Sequence, residues 1–145
     1  MTPLLVALLS AHAADAPTFS RHVAPILFKN CVTCHRPGAI GPFPLTTYAE
    51  TKKRAELIAD VTGDRAMPPW KPVTGHGEFL DSRTLTAAQI ATLKAWAAAG
   101  APEGDPKETP KLPAFKDGWQ LGKPDIILKM PKAFTVPAEG RDVYM

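Results

Sequence analysis

A chain of 145 residues has room for one ordinary domain and a modest addition, but not for a second complete domain of usual size. Its 17 basic and 14 acidic residues are scattered and leave a net charge of only +3, so there is no basic face and nucleic acid is not an expected partner. The 16 prolines are the compositional oddity, and most cluster around residues 37–44, 68–72 and 102–113, which marks those stretches as loops.

The first residues are an apolar run, Pro3 to Leu9, closed by Ala11-His12-Ala13. A small-x-small site behind such a run predicts a signal peptide over residues 1–13 and a mature protein that is periplasmic or otherwise exported. The run carries no Lys or Arg and is too short to span a bilayer, and a buried N-terminal helix is the competing reading. No later stretch is long and apolar enough for a transmembrane segment.

Val23, Ile26 and Leu27 form a helical stripe, with Pro25 tolerable only within the first turn. This short helix delivers Cys31-Val32-Thr33-Cys34-His35, which holds both cysteines of the chain. Two thiols three positions apart with a histidine directly after the second is the spacing of covalent c-type haem attachment: each thiol can form a thioether, and the imidazole lies where it can supply an axial ligand. A thioredoxin-like dithiol would need a βαβ context, and the helix before the motif and the Gly/Pro loop behind it do not provide one. A zinc site would take three ligands here and find no second Cys/His pair at finger spacing. The expectation is one haem c, with its iron, per chain.

Residues 36–45 are too rich in Gly and Pro to be the interior of a helix or strand. Thr47 and Glu50 match a capping box and predict a helix over about residues 48–62, with Ala55, Ile58, Ala59 and Thr62 on its core face. Thr86 and Gln89 repeat the box and start the clearest helix, striped by Ile90, Leu93, Trp96 and Ala97 and stopped at Gly100. Four prolines among charged residues make 101–117 a semi-rigid linker, and residues 125–130 and 134–136 read as short strands.

Iron in a c-type centre needs a sixth ligand. Met67 lies in an irregular segment between two helices, and Pro68 and Pro69 restrict the backbone just after it, so its thioether is the chosen candidate. Its competitors are His76, flanked by glycines in an exposed loop, His22, on the helix that feeds the motif, and Met130, beyond the linker. The two histidines read as solvated or capping residues.

In the order helix, CxxCH, loop, helix, methionine loop, helix, residues 19–100 resemble the single-haem cytochrome c family. The resemblance implies an all-α fold of three main helices around the haem. It also implies a Pro42 carbonyl accepting the His35 ring N–H, Leu45 packed on the haem, and Trp96 packed against the N-terminal helix near Phe28. More narrowly, Cys-x-x-Cys-His-Arg-Pro-Gly at 31–38, Arg-x-Met-Pro-Pro-Trp at 65–70 and Gly-Trp-Gln-Leu-Gly-Lys-Pro-Asp at 118–125 resemble the cytochrome module in front of copper type II, ascorbate-dependent monooxygenase-like domains of bacterial exported proteins. That resemblance implies that residues 118–145 open a further, truncated β domain behind a cytochrome domain at 17–100. The expected function is one-electron transfer rather than catalysis, feeding a fused copper-type domain or a partner redox protein, with oxidoreductase activity left to a longer parent. Cys31, Cys34, His35 and Met67 hold the haem, and Trp70, Arg65 and Lys71 are expected at its edge and propionates. The alternatives are a haem enzyme or gas sensor with an open distal site, a bis-histidine carrier, and a structural or metal-binding module without haem.

Overall fold

In the computed structural model, the described residues are 16–72, 75–80, 82–116, 118–119, 121–135 and 138–140. The expected signal peptide lies outside them. Among the described residues the regular structure is entirely helical, and no helix is long and apolar enough to cross a membrane.

A π-helical turn, Phe19–Val23, runs directly into helix α1, Ala24–Asn30. Pro25 falls in the first turn of α1, where a missing N–H costs no helical bond. Ahead of it the turn is wound wide, with Val23 N–H reaching the Thr18 carbonyl at 3.2 Å and Ala24 N–H the Phe19 carbonyl. His22 accepts the Thr18 backbone N–H at Nδ1, 3.1 Å away, and so caps its own turn.

The single helix expected over 48–62 is two: α2, Tyr48–Lys52, and α3, Ala55–Gly63. Arg54 breaks the line at φ −126° and ψ 17°, its N–H falling back on the Thr51 carbonyl. Two interactions that no helical pattern reports hold this break. The buried Thr51 hydroxyl bonds the Thr47 carbonyl at 2.8 Å, and the Arg54 guanidinium lies 4.0 Å from the centre of the Phe43 ring. At the start of α2, Thr47 caps the Glu50 N–H, but the Glu50 carboxylate accepts the Thr46 and Thr47 hydroxyls instead of closing the box on the backbone. The expected core face of α3 is buried as read.

Helix α4, Ala87–Ala98, opens on a complete capping box between Thr86 and Gln89. It ends where Gly100 takes φ +79°, a conformation that costs a residue without Cβ nothing. Leu93 and Trp96 are fully buried, and α4 packs on α3 and on the N-terminal turn. The ring that meets Trp96 is Phe19, 6.3 Å away, in the turn that precedes α1, so the aromatic contact implied near Phe28 falls earlier in the chain. Tyr48 stacks on the other partner of this cluster at 5.6 Å from Phe19.

The expected linker differs most from its reading. A first compact unit ends at Pro113, and residues 101–109 belong to it. The Pro102 carbonyl accepts both the Phe19 N–H and the Trp96 Nε1–H at 2.9 Å, and the Glu103 carbonyl accepts the Ser20 N–H. Tyr48 donates its hydroxyl to Ala101, and Thr109 donates to Ser20. A short 3₁₀ turn, Pro106–Glu108, follows the same path. All the bonds to residues 101–103 end on backbone carbonyls, so composition gave no sign of them.

A second unit begins at Ala114. The strands expected at 125–130 and 134–136 do not form among its described residues, and Val136 lies outside them. A strand is completed by a neighbour that takes its ladder bonds, and none is present among the described residues. Ile126, Ile127, Leu128, Met130 and Phe134 are accordingly exposed.

Truncating the fully buried Trp96 to alanine is expected to destabilise the first unit by ~3–5 kcal/mol. Trp96→Phe should cost less, because the Pro102 carbonyl keeps the Phe19 N–H as donor. Urea unfolding of both variants against the parent chain checks the order.

Candidate cofactor pocket

Backbone bonds extend the helical winding beyond α1: Cys31 N–H to the Leu27 carbonyl at 2.8 Å, Cys34 N–H to Cys31 at 3.1 Å and His35 N–H to Cys31 at 2.9 Å. On such a turn positions i, i+3 and i+4 share a face, which brings Cys31, Cys34 and His35 to one side. Val32 points the other way into the core, fully buried, and anchors the turn. These three side chains line a cavity of about 640 Å³, within the range of roughly 300–1,000 Å³ typical of cofactor and ligand sites.

The loop after the motif folds back onto it. Gly41 N–H bonds the Cys34 carbonyl at 2.8 Å and Leu45 N–H bonds the His35 carbonyl at 2.9 Å. This register sets the Phe43 carbonyl 3.0 Å from His35 Nδ1. A carbonyl only accepts, so Nδ1 carries the proton and Nε2 keeps the free lone pair. The partner implied for His35 was the Pro42 carbonyl. The bond goes one residue further along because two backbone bonds, at Gly41 and Leu45, fix which carbonyl is presented, while Pro42 itself borders the cavity. The Phe43 ring also lies 4.9 Å from the imidazole. Gly41 is required by proximity: a Cβ there would sit 2.7 Å from the Cys34 oxygen and 2.9 Å from His35 Nδ1.

Met67 borders the same cavity, as do Leu45 and Pro68. Its backbone N–H is tied to the Val61 carbonyl at 3.0 Å, at the end of α3. Arg65, Trp70 and Lys71 do not line this cavity. They line a smaller one of about 280 Å³, which Met67 and Pro68 also border. The reason lies in the chain just after α3: Arg65 takes φ +56° and its guanidinium reaches the Leu85 carbonyl, while Trp70 packs edge-on to Phe79 at 5.9 Å. The charged groups bordering the larger cavity are Lys29 and Arg83. His22 and His76 line neither pocket.

Sequence reasoning missed the wall that α3 supplies. Leu57 and Val61, spaced i and i+4 beside the core pair Ile58 and Thr62, turn a second stripe toward the cavity. That stripe is readable in the sequence, where Leu57 and Val61 are extra apolar positions next to the core face. Phe43 and Arg54 carried no such signal.

The thiols are free. Burial, reinforced by the neighbouring Cys34 sulfur, pushes the Cys31 thiol from its usual 9.0 up to about 12. A dithiol redox centre depends on a thiolate at neutral pH, so the leading cysteine is poised the wrong way for thioredoxin-like exchange. Among the described residues no group of three His, Cys, Asp or Glu side chains could hold a metal ion by itself. No protein-family model matches the chain, and no curated protein or solved structure matches it.

Replacing Gly41 by alanine is expected to push the loop off the motif, at a cost of ~1–3 kcal/mol, and to break the bond between His35 and Phe43. Urea unfolding gives the first effect, and a shift of the His35 ring resonances in an NMR spectrum gives the second.

Proposed function

We propose that this chain is an exported c-type cytochrome of the single-haem kind, carrying single electrons to a partner or fused redox domain. The observation that carries this reading is the convergence of Cys31, Cys34, His35 and Met67 on one cavity walled by Leu27, Leu45, Ile58 and Val61. When bound, haem c supplies a one-electron Fe(III)/Fe(II) couple.

The side chains divide the work. Cys31 and Cys34 would anchor the group through their sulfurs. His35 would offer it Nε2, held in orientation by the Phe43 carbonyl, which also makes the imidazole a better donor. Met67 would offer its thioether, and a sulfur donor favours a higher potential than a second histidine. The walls of the site are mainly apolar.

A cavity of this size inside a small unit has a further consequence. Without an occupant the walls lack contacts over much of their surface, so the haem-free polypeptide is expected to be far less stable than the haem-bearing protein.

Two measurements test the reading. Co-expressed with a haem-ligation system, the full chain should give a band on a denaturing gel that stains for haem, and Cys31→Ala combined with Cys34→Ala should abolish it. Met67→Ala should then remove the weak sulfur-to-iron charge-transfer band of the ferric protein and lower its midpoint potential. A parent protein whose ferric form is high-spin and readily binds cyanide would overturn the carrier reading in favour of an open-site haem enzyme or sensor.

A further inference from the structure

We infer that Arg54 is a positioning residue for the His35 ring and acts on it through Phe43. The inference rests on the cytochrome reading for its consequence, but the geometry is independent of it. Arg54 stands in the break between α2 and α3, outside the core stripe and outside both pockets. It is half-buried, and its guanidinium carbon is 4.0 Å from the centre of the Phe43 ring. Phe43 in turn meets His35 twice, through its carbonyl at 3.0 Å from Nδ1 and through its ring at 4.9 Å and 39° from the imidazole.

The three residues thus form one stack in which the outermost member is a fixed cation. The face of a phenylalanine ring is electron-rich and attracts a guanidinium laid over it. Clamped in this way, Phe43 cannot rotate without losing the cation, and its carbonyl stays aimed at Nδ1. The helix break gains a purpose on this account. A continuous helix over 48–62 would turn residue 54 with the helical phase of its neighbours, and the irregular φ and ψ of Arg54 release it to cover Phe43. A flat guanidinium covers the ring face, and a lysine ammonium, a compact and more strongly hydrated charge, covers it less well.

For the chemistry, a weaker bond at Nδ1 makes the imidazole a poorer donor through Nε2 and so raises the potential of the iron it would hold. Removing the positive charge of Arg54 would act in the opposite direction, by favouring the more positive ferric state. Arg54→Lys separates the two effects, because it keeps the charge and loses the stack.

The experiment uses the full haem-bearing chain in its reduced state, where the Nδ1 proton of His35 can be followed by NMR. Arg54→Lys is expected to speed exchange of that proton about two- to fivefold, the loss set by a partly exposed cation–π contact, and to raise the midpoint potential. With Phe43→Leu already in place, which keeps the carbonyl but removes the ring, Arg54→Lys should change neither quantity. Haem-bearing Arg54→Lys with the parent's exchange rate and potential overturns the inference, and so does an equal effect in both backgrounds. Should Phe43→Leu fail to fold, the single Arg54→Lys variant still decides on its two readouts. A parent chain that takes up no covalent haem would overturn the cytochrome reading itself and this inference with it, and the haem-stained gel separates that outcome from the others.

Discussion

One hydrogen bond orders the site: His35 Nδ1–H to the Phe43 carbonyl, 3.0 Å long. It selects the tautomer, frees Nε2, and ties the motif to the loop that follows it. Most of the local architecture serves to make that bond possible. Gly41 allows the loop to approach, the bonds at Gly41 and Leu45 set its register, and Val32 roots the turn beneath it. An imidazole left to rotate would lose its aim, and the backbone of the loop supplies the restraint.

What the sequence disclosed and what it hid follow from the range of the interactions concerned. The Thr86–Gln89 box, the stop at Gly100, the stripe through Leu93 and Trp96 and the grouping of Cys31, Cys34 and His35 are all local, set by spacing within a turn or two, and each is found where its pattern places it. The break at Arg54 was hidden because the ring its guanidinium covers, Phe43, lies eleven positions earlier on a loop of no regular pattern. The choice of Phe43 over Pro42 was hidden because a register is decided by two closures and not by residue type. Arg65 and Trp70 were expected at the haem edge and propionates. A left-handed residue at position 65 redirects the chain, and neighbours in sequence come to line different pockets.

The segment after Gly100 shows how composition can mislead in both directions. Proline and charge suggested a semi-rigid linker apart from the core, yet its carbonyls complete the N-terminal turn and receive the indole of Trp96. Further along, β-branched and aromatic residues suggested strands, yet a strand is a property of a pair, and residues 125–135 remain irregular. In both cases the deciding factor was whether backbone groups found partners, which side-chain chemistry reports only indirectly.

The meeting of Ser20 with Thr109, 89 positions apart, has a bearing on the order in which the molecule is put together. Contacts between such distant positions are the slowest to form, since the whole intervening chain must be gathered before they return any stability. The N-terminal turn that leads into Cys31 is therefore expected to close only after the chain beyond Gly100 has docked against it. The segment that carries both thiols would then be among the last of this unit to become ordered.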